Sequence, residues 1–79
     1  MRAVILVKAR PGFDVISSSA LRELTAKAEN VTVNDIFYCF GRFDGVITCT
    51  ADSPKSIAMF AELIRREGNF LTETLLALD

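Results

Sequence analysis

The residues with the clearest capacity for chemistry lie in one short turn, Gly41-Arg42-Phe43-Asp44. The Asp44 carboxylate could accept hydrogen bonds from an α-amino group, and the Arg42 guanidinium could bind a carboxylate through two hydrogen bonds. Gly41 and Gly45 would relieve positive φ angles and let a ligand approach the backbone closely. The alternative is purely structural, with Asp44 bonded within its own turn and Arg42 solvated. The turn therefore predicts either a site for an amino-acid-like ligand or a plain hairpin connection.

Two threonines near the end of the chain, Thr72 and Thr74, form a second candidate ligand-binding pair. Residues two apart in a strand share a face, so both hydroxyls could face a small molecule or a cross-strand partner, while Glu73 points to the opposite side. The branched side chain of threonine also favours strands, and this explains the pair equally well.

Catalytic and metal-binding chemistry have few candidates in this chain. It contains no histidine, and it carries no Ser/His/Asp set, phosphate-binding loop or HExxH motif. A general base would have to be a carboxylate of raised pKa, from among Asp35, Asp44 and Glu73, or a cysteine of lowered pKa. Cys39 and Cys49 lack CxxC spacing and could form a zinc site only with carboxylates or a second subunit. We therefore predict no catalytic residue, no cofactor and no metal, and two reduced, buried thiols.

The composition indicates a single globular domain. The chain has 79 residues, 51% hydrophobic and 24% charged, which suits one domain spanning residues 1–79. The net charge of -1 argues against direct binding of nucleic acid, since that depends on an excess of Lys and Arg. No apolar span reaches the ~20 residues of a membrane helix, and the run at residues 3–7 is too short for a signal-peptide core. We expect a cytoplasmic protein without membrane contact.

The spacing of apolar residues and turn signals predicts six elements. They are a strand at 2–9, a helix at 14–30, a strand at 31–40 with a bulge at Asn34-Asp35, a strand at 46–51, a helix at 54–67 and a strand at 69–78. The second helix has the clearest limits. Ser53 can cap its first N–H groups, Pro54 suits the first helical position, and Gly68 is expected to be the left-handed residue at its end.

The order of these elements predicts a ferredoxin-like α+β sandwich, in which a βαββαβ chain forms a four-stranded antiparallel sheet with two helices on one face. Two helices cover one face only, yet the first strand carries Ala3, Ile5 and Val7 on one side and Val4 and Leu6 on the other. A solvated antiparallel sheet normally has a polar outer face. We therefore predict that the second face packs against another copy of the chain. The alternative is that the faces of one strand are wrongly assigned.

Three stretches together resemble a known family. The opening AVILVKARPG, the hairpin FYCFGRFDGVITCTA and the closing REGNFLTETLLALD are similar to the effector-binding, or RAM, domain of the Lrp/AsnC transcriptional regulators. The resemblance spans nearly the whole chain and rests on a V-K-x-x-P-G strand end, a G-x-[YF]-D turn and a T-E-T strand. The hairpin and the segment GNFLTETLL are equally similar to small stand-alone GYD-type proteins. Both resemblances imply the same fold.

The resemblance to the regulators implies a dimeric α/β barrel, in which two sheets face each other and homodimers join into octamers or decamers. It also implies that an amino acid or similar effector binds at subunit contacts near the G-x-[YF]-D turn. Matched residue by residue, that turn falls on Gly41, Arg42, Phe43 and Asp44, and the closing motif falls on Thr72, Glu73 and Thr74.

The chain departs from the regulators because it begins directly at the first strand, which leaves no room for a helix-turn-helix. We therefore expect a stand-alone effector-binding and oligomerisation module that senses a ligand itself or pairs with a full-length regulator of transcription. Two alternatives stay open. One is a small cofactor-independent enzyme of the dimeric α/β barrel class, and the other is a structural or protein-partner module of the GYD type.

Overall fold

Strands and helices follow one another in the order that the sequence predicts. The structure, a computed structural model, describes residues 1–10 and 18–78, and side chains in the first helix from residue 21 onward. The elements are β1 (Arg2–Ala9), α1 (Ser18–Thr25), β2 (Val31–Tyr38), β3 (Gly45–Ala51), α2 (Pro54–Gly68) and β4 (Phe70–Leu76). The predicted start of the first helix at residue 14 lies outside the described residues.

The four strands form one sheet in the order β2-β3-β1-β4, and every neighbouring pair is antiparallel. The β2–β3 hairpin supplies one edge, and β4 returns to pair with β1 on the other. This arrangement confirms the ferredoxin-like α+β sandwich. It also makes β1 and β3 the central strands, so their side chains decide what each face of the sheet presents.

The core lies between the helices and one face of this sheet. Alternate residues of the central strands, including Ile5, Val7 and Ile47, point toward the helices and are fully buried. They meet apolar side chains of α1 and α2 such as Leu21 and Ile64, which are equally buried. Within the described residues, the buried set contains no polar or charged residue, so apolar burial is the main source of stability on this side.

Helix α2 begins as predicted but ends differently. The Ser53 side chain accepts a hydrogen bond from the Ser56 backbone N–H at 3.3 Å, and Pro54 follows at the first turn. At the other end the left-handed residue is Asn69, with φ 58° and ψ 41°, and not Gly68. Gly68 is instead the last helical residue, where an added Cβ would lie 2.6 Å from Leu24 Cδ1 and from the Phe70 ring. Gly68 is therefore needed because a larger residue would clash with its neighbours, and not because its backbone conformation requires glycine.

Other element ends also differ from the sequence predictions. Helix α1 ends at Thr25 rather than residue 30, and the chain tightens through a 3.0 Å bond from Lys27 N–H to the Leu24 carbonyl before Asn30 turns left-handed at φ 61°. Strand β2 stops at Tyr38, two residues before the predicted end, and β3 starts one residue early. β4 is shorter than predicted at both ends because its pairing with β1 runs only from Phe70 to Leu76.

Candidate functional site

Gly41 and Gly45 flank the β2–β3 turn and play different roles. Gly41 has φ 137°, which L side chains rarely adopt, so the predicted positive φ is confirmed there. The φ angle of Gly45 is not positive, so the prediction of a positive φ is wrong for this residue. An added Cβ at Gly45 would lie 3.0 Å from Leu21 Cδ1, which shows that this glycine makes room for α1.

The Asp44 side chain fastens the turn to the end of β1. Its Oδ2 accepts a hydrogen bond from the Ala9 backbone N–H at 2.8 Å. The backbone of Asp44 adds two more, donating to the Val7 carbonyl at 2.8 Å and accepting from the Cys39 N–H at 3.0 Å. Asp44 therefore has a structural function, and one of its two carboxylate oxygens is already engaged.

Arg42 and Phe43 lie at the tip of the same turn. The Arg42 side chain is exposed, and its guanidinium carbon lies 5.6 Å from the centroid of the half-buried Phe43 ring. The Arg42 carbonyl accepts a hydrogen bond from Lys8 Nζ at 3.0 Å. An exposed cation–π contact of this kind contributes about 0.5–1 kcal/mol, so the guanidinium is held near the ring but is still accessible to a carboxylate.

Thr72 and Thr74 lie on the helix side of β4, half-buried, while Glu73 points to the other face as predicted. The Thr72 hydroxyl accepts a hydrogen bond from Arg65 Nη1 at 2.9 Å, which ties β4 to α2. Thr72 pairs with β1 on the strand edge opposite to β3, whereas Asp44 bonds to β1 from the β3 side. The structure therefore does not bring the two threonines and the turn together into one site.

The most distinctive surface is the face of the sheet that the helices leave uncovered, which we call the open face. Its apolar residues are half-buried in the centre and exposed toward the edges, with Phe37 54% and Leu75 50% exposed. They are Val4, Leu6, Phe37, Val46, Leu71 and Leu75. The predicted second apolar face is thus present, and no strand had its faces wrongly assigned.

The two thiols lie in different surroundings. Cys49 is buried as predicted, and burial raises its pKa. Cys39 is exposed just beyond the end of β2, so the prediction of burial was wrong for it. The alternation of apolar residues places Cys49 correctly, but Cys39 lies past the strand end, where alternation no longer applies.

Several polar contacts were not foreseen from the sequence. On the open face, the Thr48 hydroxyl donates to Asp35 Oδ2 at 3.1 Å, and the Asn34 amide donates to the Thr50 hydroxyl at 3.0 Å. The alternation of β3 together with the predicted bulge at Asn34 was the signal that could have paired these residues. Among the described residues, no cluster of three or more His, Cys, Asp or Glu could hold a metal. Within the same residues, every helix is too short or too polar to cross a membrane.

Comparison with solved structures agrees with this fold. The chain matches the crystal structure of the Mycobacterium tuberculosis leucine response regulatory protein, LrpA, with a TM-score of 0.77 at 15% identity, covering 99% of this chain and 50% of that one. It matches the crystal structure of FFRP-DM1 with a TM-score of 0.72 at 24% identity, covering 98% and 97%. The chain thus spans half the length of LrpA. No family model and no curated protein matches it. At these identities the likeness shows the fold alone.

Proposed function

We propose that this chain is a cytoplasmic, non-enzymatic module that dimerises through its open face and binds a small amino-acid-like effector where subunits meet near the turn at residues 41–44. The observation that carries the proposal is the apolar open face itself. Contiguous exposed apolar surface of this kind typically marks an interface. Dimers could assemble further into octamers or decamers, or pair with a full-length regulator.

The charges of the open face suit a second copy of the same chain. A two-fold dimer requires a patch that is complementary to itself. The strand alternation places basic Lys8 on this face together with acidic Glu73, so opposite charges are present for such pairing.

The side chains of the turn at residues 41–44 support the binding of an effector. Arg42 is exposed and offers a guanidinium for a carboxylate group, and among the described residues Asp44 Oδ2 is the carboxylate oxygen that is engaged, by the Ala9 N–H. The resemblance of the turn to the effector-binding region of Lrp/AsnC regulators supports the same location. The turn joins two strands of the sheet beside the end of β1, and we expect dimerisation through the sheet to bring a second subunit close to it.

Sedimentation velocity at micromolar concentration tests the association. Wild-type protein is expected to sediment as a dimer or larger assembly, and Phe37→Asp as a monomer, because a charge on the open face would be buried without a partner. Met59→Asp is the matched control, since Met59 is 58% exposed, close to the 54% of Phe37, but lies on α2. A monomeric wild type, or equal dissociation of both variants, contradicts the proposal.

A thermal-shift screen over the amino acids tests the effector. A ligand present at 100 times its dissociation constant adds about 2.7 kcal/mol to the free energy of unfolding, which is readily detected. Arg42→Ala should abolish the shift, whereas Lys55→Ala, which removes an exposed cation from α2, should not. Asp44 is unsuitable as the test variant because it holds the turn. If no amino acid raises the melting temperature, the effector role is wrong and self-association alone stands.

A further inference from the structure

A bulge in β2 determines which side chains reach one end of the open face. Val33 pairs with Cys49, but the next pair joins Asp35 to Thr48, so Asn34 is the extra residue. Without this insertion, alternation would turn Asp35 toward the helices and Ile36 toward the open face. The bulge instead packs Ile36 against the core and directs the Asp35 carboxylate onto the open face. Re-aiming a side chain is a common role of bulges near functional sites.

The polar groups around Asp35 leave mainly hydrogen-bond acceptors for a ligand. Thr48 already donates its hydroxyl proton to Asp35 Oδ2 at 3.1 Å, and Asn34 donates its amide nitrogen to Thr50 at 3.0 Å. What stays available is the second carboxylate oxygen of Asp35, the lone pairs of Thr48 and the amide oxygen of Asn34. Among the described residues, ion pairs join Lys27 to Glu67 and Arg66 to Glu62, and neither includes Asp35. The cluster therefore favours a ligand that donates hydrogen bonds and carries positive charge.

These residues border a shallow groove of about 390 Å³, a volume within the usual range for small-molecule sites. Because β3 lies between β2 and β1, Asp35 forms one wall of the groove, Thr48 its floor, and Val4 and Arg2 the opposite wall. A ligand with one ammonium group and a short uncharged body matches a single carboxylate on one wall and the apolar Val4 on the other.

We propose that this groove, which we call the bulge site, binds a small primary amine, with the ammonium group donating to Asp35, Thr48 and Asn34. The inference rests on the proposed dimerisation, because a second sheet would cover the groove and exclude water from it. A carboxylate covered in this way without a cation would be strongly disfavoured, so the ligand ammonium compensates its charge. The bulge site is separate from the turn at residues 41–44.

Calorimetric titration with ethanolamine tests the bulge site directly. Ethanolamine is expected to bind wild-type protein saturably, whereas ethylene glycol, which lacks the ammonium group, is not. Asp35→Asn should weaken ethanolamine binding about ten- to hundredfold, the loss expected for a hydrogen bond to a charged group. Glu73→Gln is the matched control because it removes one negative charge from the same face on β4, and it should bind as the wild type does. Arg42→Ala should also bind normally.

Three outcomes would overturn the bulge site. They are the absence of saturable ethanolamine binding, equal binding by Asp35→Asn and wild type, and equal weakening by Asp35→Asn and Glu73→Gln. Sedimentation of the same samples separates this failure from failure of the proposed dimer. If Asp35→Asn dissociates the dimer while ethanolamine has no effect, Asp35 pairs with a cation of the partner subunit instead. A monomeric wild type would contradict dimerisation, and titration of that monomer would still show whether the amine binds.

Discussion

The two faces of the sheet come from the same strands but have different environments. In β1, Ile5 and Val7 are 0% exposed beneath the helices, while the adjacent Val4 and Leu6 on the open face are only half-buried. Strand β3 repeats the contrast, with Ile47 fully buried and its neighbour Val46 half-buried. Both faces are rich in apolar side chains, so hydrophobicity alone does not distinguish them.

What distinguishes the faces is the layer available to cover them. The helix side is closed by α1 and α2, and its apolar burial stabilises the single chain. The open face leaves Phe37 and Leu75 at least half exposed, and it also carries polar groups such as Asp35 and Thr48, whereas the buried residues beneath the helices are all apolar within the described part of the chain. We therefore expect a residue on the helix side to matter for folding and a residue on the open face to matter for the proposed association.

Deleting equivalent side chains from the two faces gives the largest expected difference. Ile47→Ala should lower the free energy of unfolding by about 2–5 kcal/mol, because a fully buried side chain leaves a cavity. Val46→Ala should cost less, about 1 kcal/mol, since this partly exposed side chain loses two carbons where Ile47 loses three. Urea unfolding of both variants in the Phe37→Asp background, where the open face is expected to be free of a partner, measures the contrast. Equal losses would contradict the distinction between the faces.

Features that depend on local sequence were predictable. The alternation in β1 identified both faces, the polar pair Asn34-Asp35 located the bulge, and Ser53 with Pro54 located the start of α2. Each of these follows from the period of a strand, from an interruption in that period or from the chemistry of a helix cap. The same local rules predicted the positive φ of Gly41.

Features that depend on tertiary contacts were not predictable. Gly68 was expected at a left-handed position because helix ends favour glycine there, but its surroundings of Leu24 and Phe70 come from other elements. Asp44 bonds to Ala9, 35 residues earlier in the chain, so no turn rule could identify its partner. Tertiary contacts also decide why the two sets of candidate ligand residues do not form one site. The turn and Thr72 are separated by β1, and that separation follows from the strand order rather than from a motif.

Adding a carbon to the two faces gives a smaller expected difference. Gly68→Ala should destabilise the chain by about 1 kcal/mol, because the overpacking cost against Leu24 and Phe70 exceeds the gain in helix propensity. Val46→Ile adds one carbon on the open face and should leave stability nearly unchanged in the Phe37→Asp background. Thermal unfolding of both variants measures this effect. If Gly68→Ala stabilises the chain, a methyl group fits beside Leu24 and Phe70, and close packing does not explain the glycine at this position.

The two cysteines allow the contrast to be probed without changing stability. Cys49 faces the helices, which shield it from solvent, and burial raises its pKa, which favours the unreactive thiol over the reactive thiolate. Cys39 is exposed. Iodoacetamide should therefore alkylate one thiol per folded chain quickly, and Cys39→Ser should remove that fast reaction. The second thiol should react only at the rate of opening of the helix side, and it should become as fast as the first in urea. Equally fast alkylation of both thiols in the folded protein would mean that the helices expose the inner face of β3 far more often than its packing implies.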